Sequence, residues 1–486
     1  MNSLTKNSLY NIGYKTFSIL FPILSQSYLA RVITTDQIGL IAFANNIVSY
    51  FTFLAPLGIT RYGVRQISNC RDNPAQLKKV FTELFIINAS SSLFFTAAYF
   101  LLIFFCPYFH ENSLLHYVFG LNILFNLFNV DWFFVGVERF DFIAKRSILI
   151  KTLSFIVLIL VVRSPKDYFY YALISIFALC GNYFISFVAS KNFFSFSHGL
   201  EYTQHFQPLI VLLASAVASE LYIMFDSTMI RIEKGDTELA YYSYSTKILR
   251  ISFAVISAIF ATFFPRLSNF WSKSKEQYSD LLTYEIKLAF FICVPCSLFL
   301  FFCSKEIILI LFGKNYFNSI ITLRVLSPLL IVFTFAYVLG HIPLLIYRLE
   351  KKILFCTVCA SLLNLTLNFI LIPLYGRNGA AIASFLAECS ITVLLLMFSF
   401  RFFRFSLSIE SLSKTLISSA ILLLFFLIFP FSNLANIISI SIKIVIGSIF
   451  FLLSSFFLKN SVLLYILSSS ICQRILGCFT SFCHRH

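Results

Sequence analysis

Of 486 residues, 59% are hydrophobic and only 12% charged, and the mean hydropathy is +0.86, which leaves too few charges for an ordinary water-facing surface. A net charge of +16 would point to nucleic acid in a soluble protein, but in a polytopic chain Lys and Arg sort to the cytoplasmic loops, so that reading falls away. The composition leaves an all-α polytopic membrane protein, whose work is done in or across a bilayer.

Met1 to Asn11 is polar, and no small-residue cleavage site follows the first apolar run, so the first span is expected to stay in the protein. Apolar runs between charged or turn-rich breaks predict about fourteen spans approaching the ~20 residues that a crossing helix needs. In chain order they lie near residues 10–30, 38–58, 81–105, 115–136, 148–163 and 169–189, then 209–231, 243–264, 286–303, 320–346, 353–373, 380–400, 415–431 and 437–458. Twelve form two sets of six and two are additional.

With the N-terminus inside, most of the 37 Lys and Arg fall on one side of this arrangement. They include Lys6, the stretch from Arg61 to Lys79, the group Arg139, Lys145, Arg146 and Lys151, and later Arg266, Lys287, Arg348 and Arg401. The positive-inside rule reads that side as cytoplasmic and places both termini there.

A weak repeat of about 200 residues relates "TRYGVRQISN" to "TFFPRLSN", with Arg65 and Arg266 at matching span exits. It suggests two parallel six-helix lobes, 1–200 and 201–405, followed by two additional transmembrane helices over 406–460 and a cytoplasmic or interfacial tail over 461–486. The longest exterior loops, such as Ser304 to Ser319, run to about a dozen residues, too short for the exterior catalytic segment of a membrane polymerase or ligase. The scattered cysteines show no disulfide or zinc spacing and read as small apolar fillers, and no metal site is expected. The tail cluster Cys472, Cys478, Cys483, His484 and His486 lacks the paired cysteines of a zinc site.

Ionisable side chains within spans are expensive and by default face a cavity or a partner. They are Lys15, Glu220, Asp226, Lys247, Arg250, Glu388 and Lys443. Lys247 and Arg250, three apart, share a helix face, and Asp226 reaches a similar depth on the preceding span. Such a set is either a structural pair locking two helices or a cationic wall that receives an anionic head group beside a titrating carboxylate. Glu220 and Glu388, near mid-span, are further candidates to carry a coupling ion, and Lys443 reads as a snorkelling side chain. Asn122, Asn126 and Asn129 follow i, i+4, i+7 spacing and predict a polar stripe, with Asn364 and Asn368 on a later span. Either stripe suits sugar hydroxyls or interhelical hydrogen bonds.

Five segments in order, "PLGITRYGVRQISNCRDNPAQLKKVFTEL" (Pro56 to Leu84), "DWFFVGVERFDFIAKRS" (Asp131 to Ser147), "DSTMI" with "YYSYSTKI" (Asp226 to Ile248), "LFGKNY" (Leu311 to Tyr316) and "PLYGRNGAAIAS" (Pro373 to Ser384), resemble signatures of the polysaccharide transporter family. This is the Wzx-type O-antigen flippase group of the multidrug/oligosaccharidyl-lipid/polysaccharide exporters. The resemblance covers roughly residues 5 to 400 and omits the two added spans and the tail.

It implies a bundle of six plus six helices in a bacterial inner membrane. Such a bundle moves undecaprenyl-pyrophosphate-linked oligosaccharide from the cytoplasmic to the periplasmic leaflet by H⁺- or Na⁺-coupled alternating access. No nucleotide cofactor is implied, and no GxxxxGK[ST] loop is present. Carried over by position, Lys15, Arg31, Lys247 and Arg250 would hold the pyrophosphate. Asp226, then Glu220 or Glu388, would answer the ion gradient, and Asn122, Asn126 and Asn129 would line the glycan cavity. Expected partners are the lipid-linked substrate, membrane lipids, and a polymerase and chain-length regulator of the same pathway. The alternatives are a membrane glycosyltransferase or O-antigen polymerase, and a small-molecule multidrug exporter of the same superfamily.

Overall fold

A computed structural model describes residues 21–195, 201–400, 409–429, 431 and 434–468, with backbone only at 211–212, 214–223 and 409. Among the described residues every regular element is helical. Ten helical stretches there are long and apolar enough to cross a bilayer, and they coincide with ten of the predicted spans. The first predicted span begins outside the described residues, the seventh runs through residues whose side chains lie outside the description, and the fourth and fifth are helical without meeting the same criterion as single apolar stretches.

The chain divides into two compact units, Met1–Ser243 and Tyr244–His486. In the first, residues 21–32 (α1) precede α2 (Thr35–Leu54), α3 (Ile59–Cys70), α4 (Pro74–Phe105), α5 (Ser113–Phe125), α6 (Asp131–Gly136), α7 (Phe140–Val161), α8 (Tyr168–Ser190) and α9 (Thr203–Lys234). α10 (Asp236–Phe260) begins there and contains the division. The second holds α11 (Phe264–Lys273), α12 (Lys275–Phe302), α13 (Ser304–Leu311), α14 (Ser319–Leu326) and α15 (Leu329–Phe335). A π-helical segment (Ala336–His341) follows, then α16 (Ile342–Ile346), α17 (Glu350–Tyr375), α18 (Arg377–Ser399), α19 (Ile409–Ile428), α20 (Asn436–Phe457) and α21 (Ser461–Ser468).

Local chemistry sets many of these boundaries. Thr34 and Gln37 form a capping box at the start of α2, and Asn73 caps α4 with Pro74 at its first position. Gly235, at φ +88, lets the chain turn between α9 and α10 in a conformation that side-chain-bearing residues resist. Gly39 is required for another reason, since a Cβ there would run into the carbonyl oxygen of Asp236 where α2 meets the start of α10.

The outward faces are apolar, with Phe94, Phe105 and Phe457 at 67%, 72% and 78% exposure, the side-chain distribution of a surface solvated by lipid. Within the first unit Phe81 packs between Trp132, Phe133 and Phe194. In the second, Tyr244 stacks on Phe312 at 4.2 Å. There α19 and α20 also pack onto α12 through Phe426 against Phe299 and Phe302, and through Phe451 against Phe291.

The sequence repeat has a local counterpart. In each unit a long helix (α2, α10) is followed by a turn, a short amphipathic helix (α3, α11) and another long helix (α4, α12). Arg65 and Arg266 are exposed on the short helices, while Ile67 and Leu267 are buried.

Three local readings of the sequence differ from the structure. The predicted span 115–136 is not continuous: α5 stops at Phe125, a 3₁₀ turn covers Asn126–Phe128, and α6 starts at Asp131. Side-chain amides take up the backbone groups that this break frees, as Asn88 donates to the Asn126 carbonyl (2.9 Å) and Asn129 accepts from the Asp131 N–H (3.3 Å). The segment read as an exterior loop, Ser304 to Ser319, contains α13. Lys443 does not snorkel; it is 5% exposed and its Nζ lies 2.6 Å from Glu306 Oε1 and 3.0 Å from the Phe302 carbonyl. Glu306, 3% exposed, also accepts from Ser439 Oγ at 2.8 Å, so a buried ion pair ties α20 to α13.

Candidate functional site

The first unit contains a cavity of about 380 Å³ with polar and apolar walls, lined by α1, α7 and α8 together with Asp131 at the start of α6. Helical spacing builds its walls. Ser147, Lys151, Ser154 and Leu158 recur at i, i+4, i+7 and i+11 on α7, and Tyr171, Ser175, Ala178 and Asn182 recur at i, i+4, i+7 and i+11 on α8. Ser25 and Gln26 close it from α1, where Gln26 Nε2 donates to Tyr171 Oη at 3.1 Å and Phe21 meets Phe155 edge-on.

Arg146 anchors the cavity. Its guanidinium donates to both oxygens of Asp131, at 2.7 and 2.9 Å, and through Nε to Asn182 Oδ1 at 3.1 Å. Ser186 Oγ adds a further donor to Asp131 at 2.8 Å. This bidentate geometry fixes α7 against α6 and α8 and satisfies a guanidinium whose residue is only 5% exposed. Asp131 balances Arg146, and half-buried Lys151 adds an ammonium to the lining. Hydroxyls, amides, aromatic edges and an ammonium within one cavity can bind a polyhydroxylated molecule and favour an anionic group on it.

A second polar cluster in the same unit joins three helices. His205 at the start of α9, 3% exposed, sits between Tyr62 Oη of α3 and Glu83 Oε2 of α4, each 2.9 Å from one ring nitrogen. Glu83, fully buried, also accepts the Glu201 N–H, and Lys79 approaches it at 3.9 Å.

The family model described as polysaccharide biosynthesis protein matches residues 4–271, more than half of the chain. The chain belongs to the polysaccharide biosynthesis protein family. A second family model, lipid II flippase MurJ, matches residues 201–432. A protein of Escherichia coli (strain K12) named "Putative O-antigen transporter" is 22% identical over 82% of this chain and 96% of its own length. One of Shigella flexneri with the same name is 29% identical over 78% of this chain and 94% of its own. Among solved structures, lipid II flippase MurJ in an inward closed conformation superposes with a TM-score of 0.72 at 16% identity, covering 92% of this chain and 98% of that one. The fold is therefore that of a transporter-type helical bundle, and the expected family is borne out.

Within this family member the residues singled out from sequence lie in several places. Lys15 is outside the described residues, and the side chain of Glu220 is not described. Arg31 is exposed on α1. Asp226, 3% exposed on α9, accepts a 2.7 Å hydrogen bond from Tyr242 of α10. Lys247 and Arg250 are both exposed on α10, and Lys247 Nζ stands 5.1 Å from the centre of the Tyr244 ring. Glu388 is half-buried on α18. Of the expected asparagine stripe only Asn122 is on α5; Asn126 and Asn129 lie in the break, where Asn126 donates to Ser92 and Asn129 donates to Asn126.

The sequence reading missed the cavity. It counted Arg146 and Lys151 among the charges of one membrane side and gave them no part in a site, whereas both line this cavity from α7. The polar periodicity of Ser147, Lys151 and Ser154 was the available signal.

Proposed function

We propose that the chain is a flippase that moves undecaprenyl-pyrophosphate-linked oligosaccharide, an O-antigen-type repeat unit, from the cytoplasmic to the periplasmic leaflet of a bacterial inner membrane. The observation that carries the reading is a family member whose relatives, matched over nearly their full length, are named as O-antigen transporters. The cavity in its first unit, with serine, amide, tyrosine and lysine side chains in its lining, supports it.

In this reading the chain acts by alternating access driven by H⁺ or Na⁺ and performs no covalent chemistry. Both termini are cytoplasmic. Lys15, Arg31, Lys247 and Arg250 hold the pyrophosphate, while sugar hydroxyls meet the Ser, Asn and Tyr side chains beside Lys151. Asp226, with Glu220 or Glu388, answers the ion gradient. The lobes comprise 1–200 and 201–405, and the helices of 406–460 are an addition to the transport core. A polymerase and a chain-length regulator would receive the product.

Deleting the gene tests this. Lipid-linked repeat units should accumulate in the inner leaflet, and restoring the full chain should clear them. A normal leaflet distribution with loss of chain elongation would replace the flippase by a polymerase.

A further inference from the structure

Among the described residues three buried carboxylates have partners: Glu83 has His205, Asp226 has Tyr242, and Glu306 has Lys443 and Ser439. Glu285 departs from this pattern. It is 0% exposed on α12, and neither of its carboxyl oxygens has a hydrogen-bond partner. It stands ten residues into the helix from Lys275, about 15 Å along the axis. An ionised carboxylate buried with no donor is among the most expensive groups a fold can contain, whereas the neutral acid resembles any buried hydroxyl. Packing alone gives no reason for Glu here, because Met or Gln fills a similar volume.

The surroundings of Glu285 give a second observation. Glu285 lies within electrostatic range of Tyr278 of its own helix and of Tyr337 in the π-helical segment, which packs on α12. Among the described residues, the other helices packed on α12 place no charged partner against it. A π segment is a rare interruption of an α-helix, found mostly where function requires it. Here it is tightly held, since a Cβ on Gly340 would lie 2.7 Å from Leu395. His341 follows Tyr337 by about one turn of the same segment. On the other flank Tyr278 bonds to Tyr347 at 3.2 Å, beneath Trp271. The irregular π segment that carries Tyr337 therefore packs directly on the helix that carries the carboxyl.

We propose that Glu285 is a proton-binding carboxyl of the second unit, taking up a proton from water as the neutral acid and releasing it when the π segment rearranges during transport. The coupling half of this rests on the flippase reading; the proton-binding half does not. The net step is the transfer of one proton between water and one carboxylate, with no other bond made or broken.

The test uses the full chain in lipid nanodiscs and in cells. Infrared difference spectra should contain the carbonyl stretch of a protonated, weakly hydrogen-bonded carboxylic acid, shifted in D₂O, lost in Glu285→Gln and retained in Glu285→Asp. In cells, Glu285→Gln should keep wild-type abundance while glycan export loses at least tenfold and no longer responds to collapse of the proton gradient. A wild-type spectrum without that band, or one unchanged in Glu285→Gln, overturns the proposal even if lipid-linked units are flipped. A band assigned to Glu285 in a protein whose deletion leaves lipid-linked units correctly distributed supports proton binding while removing the flippase reading. Export by Glu285→Gln that keeps its full dependence on the gradient overturns the coupling.

Discussion

Replacing Lys443 by Met removes an ammonium while keeping a side chain of similar length. In the native protein that ammonium is 2.6 Å from Glu306 and 3.0 Å from the Phe302 carbonyl, in a place where Lys443 and Glu306 are 5% and 3% exposed. Without it, Glu306 keeps only the Ser439 hydroxyl at 2.8 Å as a donor. Breaking one side of a buried pair typically costs about 3–5 kcal/mol, because the remaining charge is left uncompensated. One donor survives here, so the lower figure, about 3 kcal/mol, is expected, roughly a hundredfold in the folded-to-unfolded ratio.

The assay is unfolding of the purified full chain in detergent, with amide exchange to locate the loss. Exchange should rise first in α20, which the pair ties to α13, and leave α4 unchanged. Removing both charges with Glu306→Met and Lys443→Met should recover all but about 1 kcal/mol, since an apolar pair of similar volume carries no desolvation penalty. A single Lys443→Met variant as stable as wild type would refute the reasoning. So would a double variant as unstable as the two single losses added together.

Three further outcomes follow from the geometry. Gly39→Ala would drive a Cβ into the Asp236 carbonyl oxygen, so α2 and α10 must separate; we expect a loss of about 1–3 kcal/mol, read as reduced membrane abundance and a lower unfolding midpoint. Tyr62→Phe removes the 2.9 Å contact to His205 Nδ1 and should cost about 1 kcal/mol in the same measurement, with no loss marking the cluster as energetically idle. Lys151→Gln removes the ammonium that lines the α1–α7–α8 cavity and should lower glycan export at least tenfold at unchanged abundance; wild-type export would separate that cavity from transport.

Much of the architecture was readable from runs of amino acids. Ten predicted spans reappear as long apolar helices, because whether a segment of ~20 residues prefers lipid depends on its own composition. The repeated "RQISN" and "RLSN" elements reappear as exposed arginines on short amphipathic helices, since a period of 3.6 is also a local property. Where backbone chemistry competed with hydropathy the reading failed: 115–136 is apolar enough for one helix, yet the asparagines around 126–129 stabilise a break in it.

The site was less legible. Asp226 and Lys443 stood out as ionisable residues in apolar runs, but their partners did not. Asp226 bonds to Tyr242, and Lys443 finds Glu306 across 137 residues of sequence. Arg146 and Lys151 were counted only toward membrane sidedness, because charges near a span end are counted, not oriented. Only the packing of α6, α7 and α8 shows Arg146 forked onto Asp131 and Lys151 facing a cavity.

The sequence by itself determined that this is a helical membrane protein of the polysaccharide biosynthesis family, because hydropathy and ordered motifs are properties of contiguous residues. Tertiary structure decided which charges are neutralised, which face a cavity and which, as at Glu285, are buried without a partner. Those outcomes depend on desolvation and on contacts between residues far apart in the chain, such as Glu83 and His205 at a separation of 122, and no local window of sequence contains them.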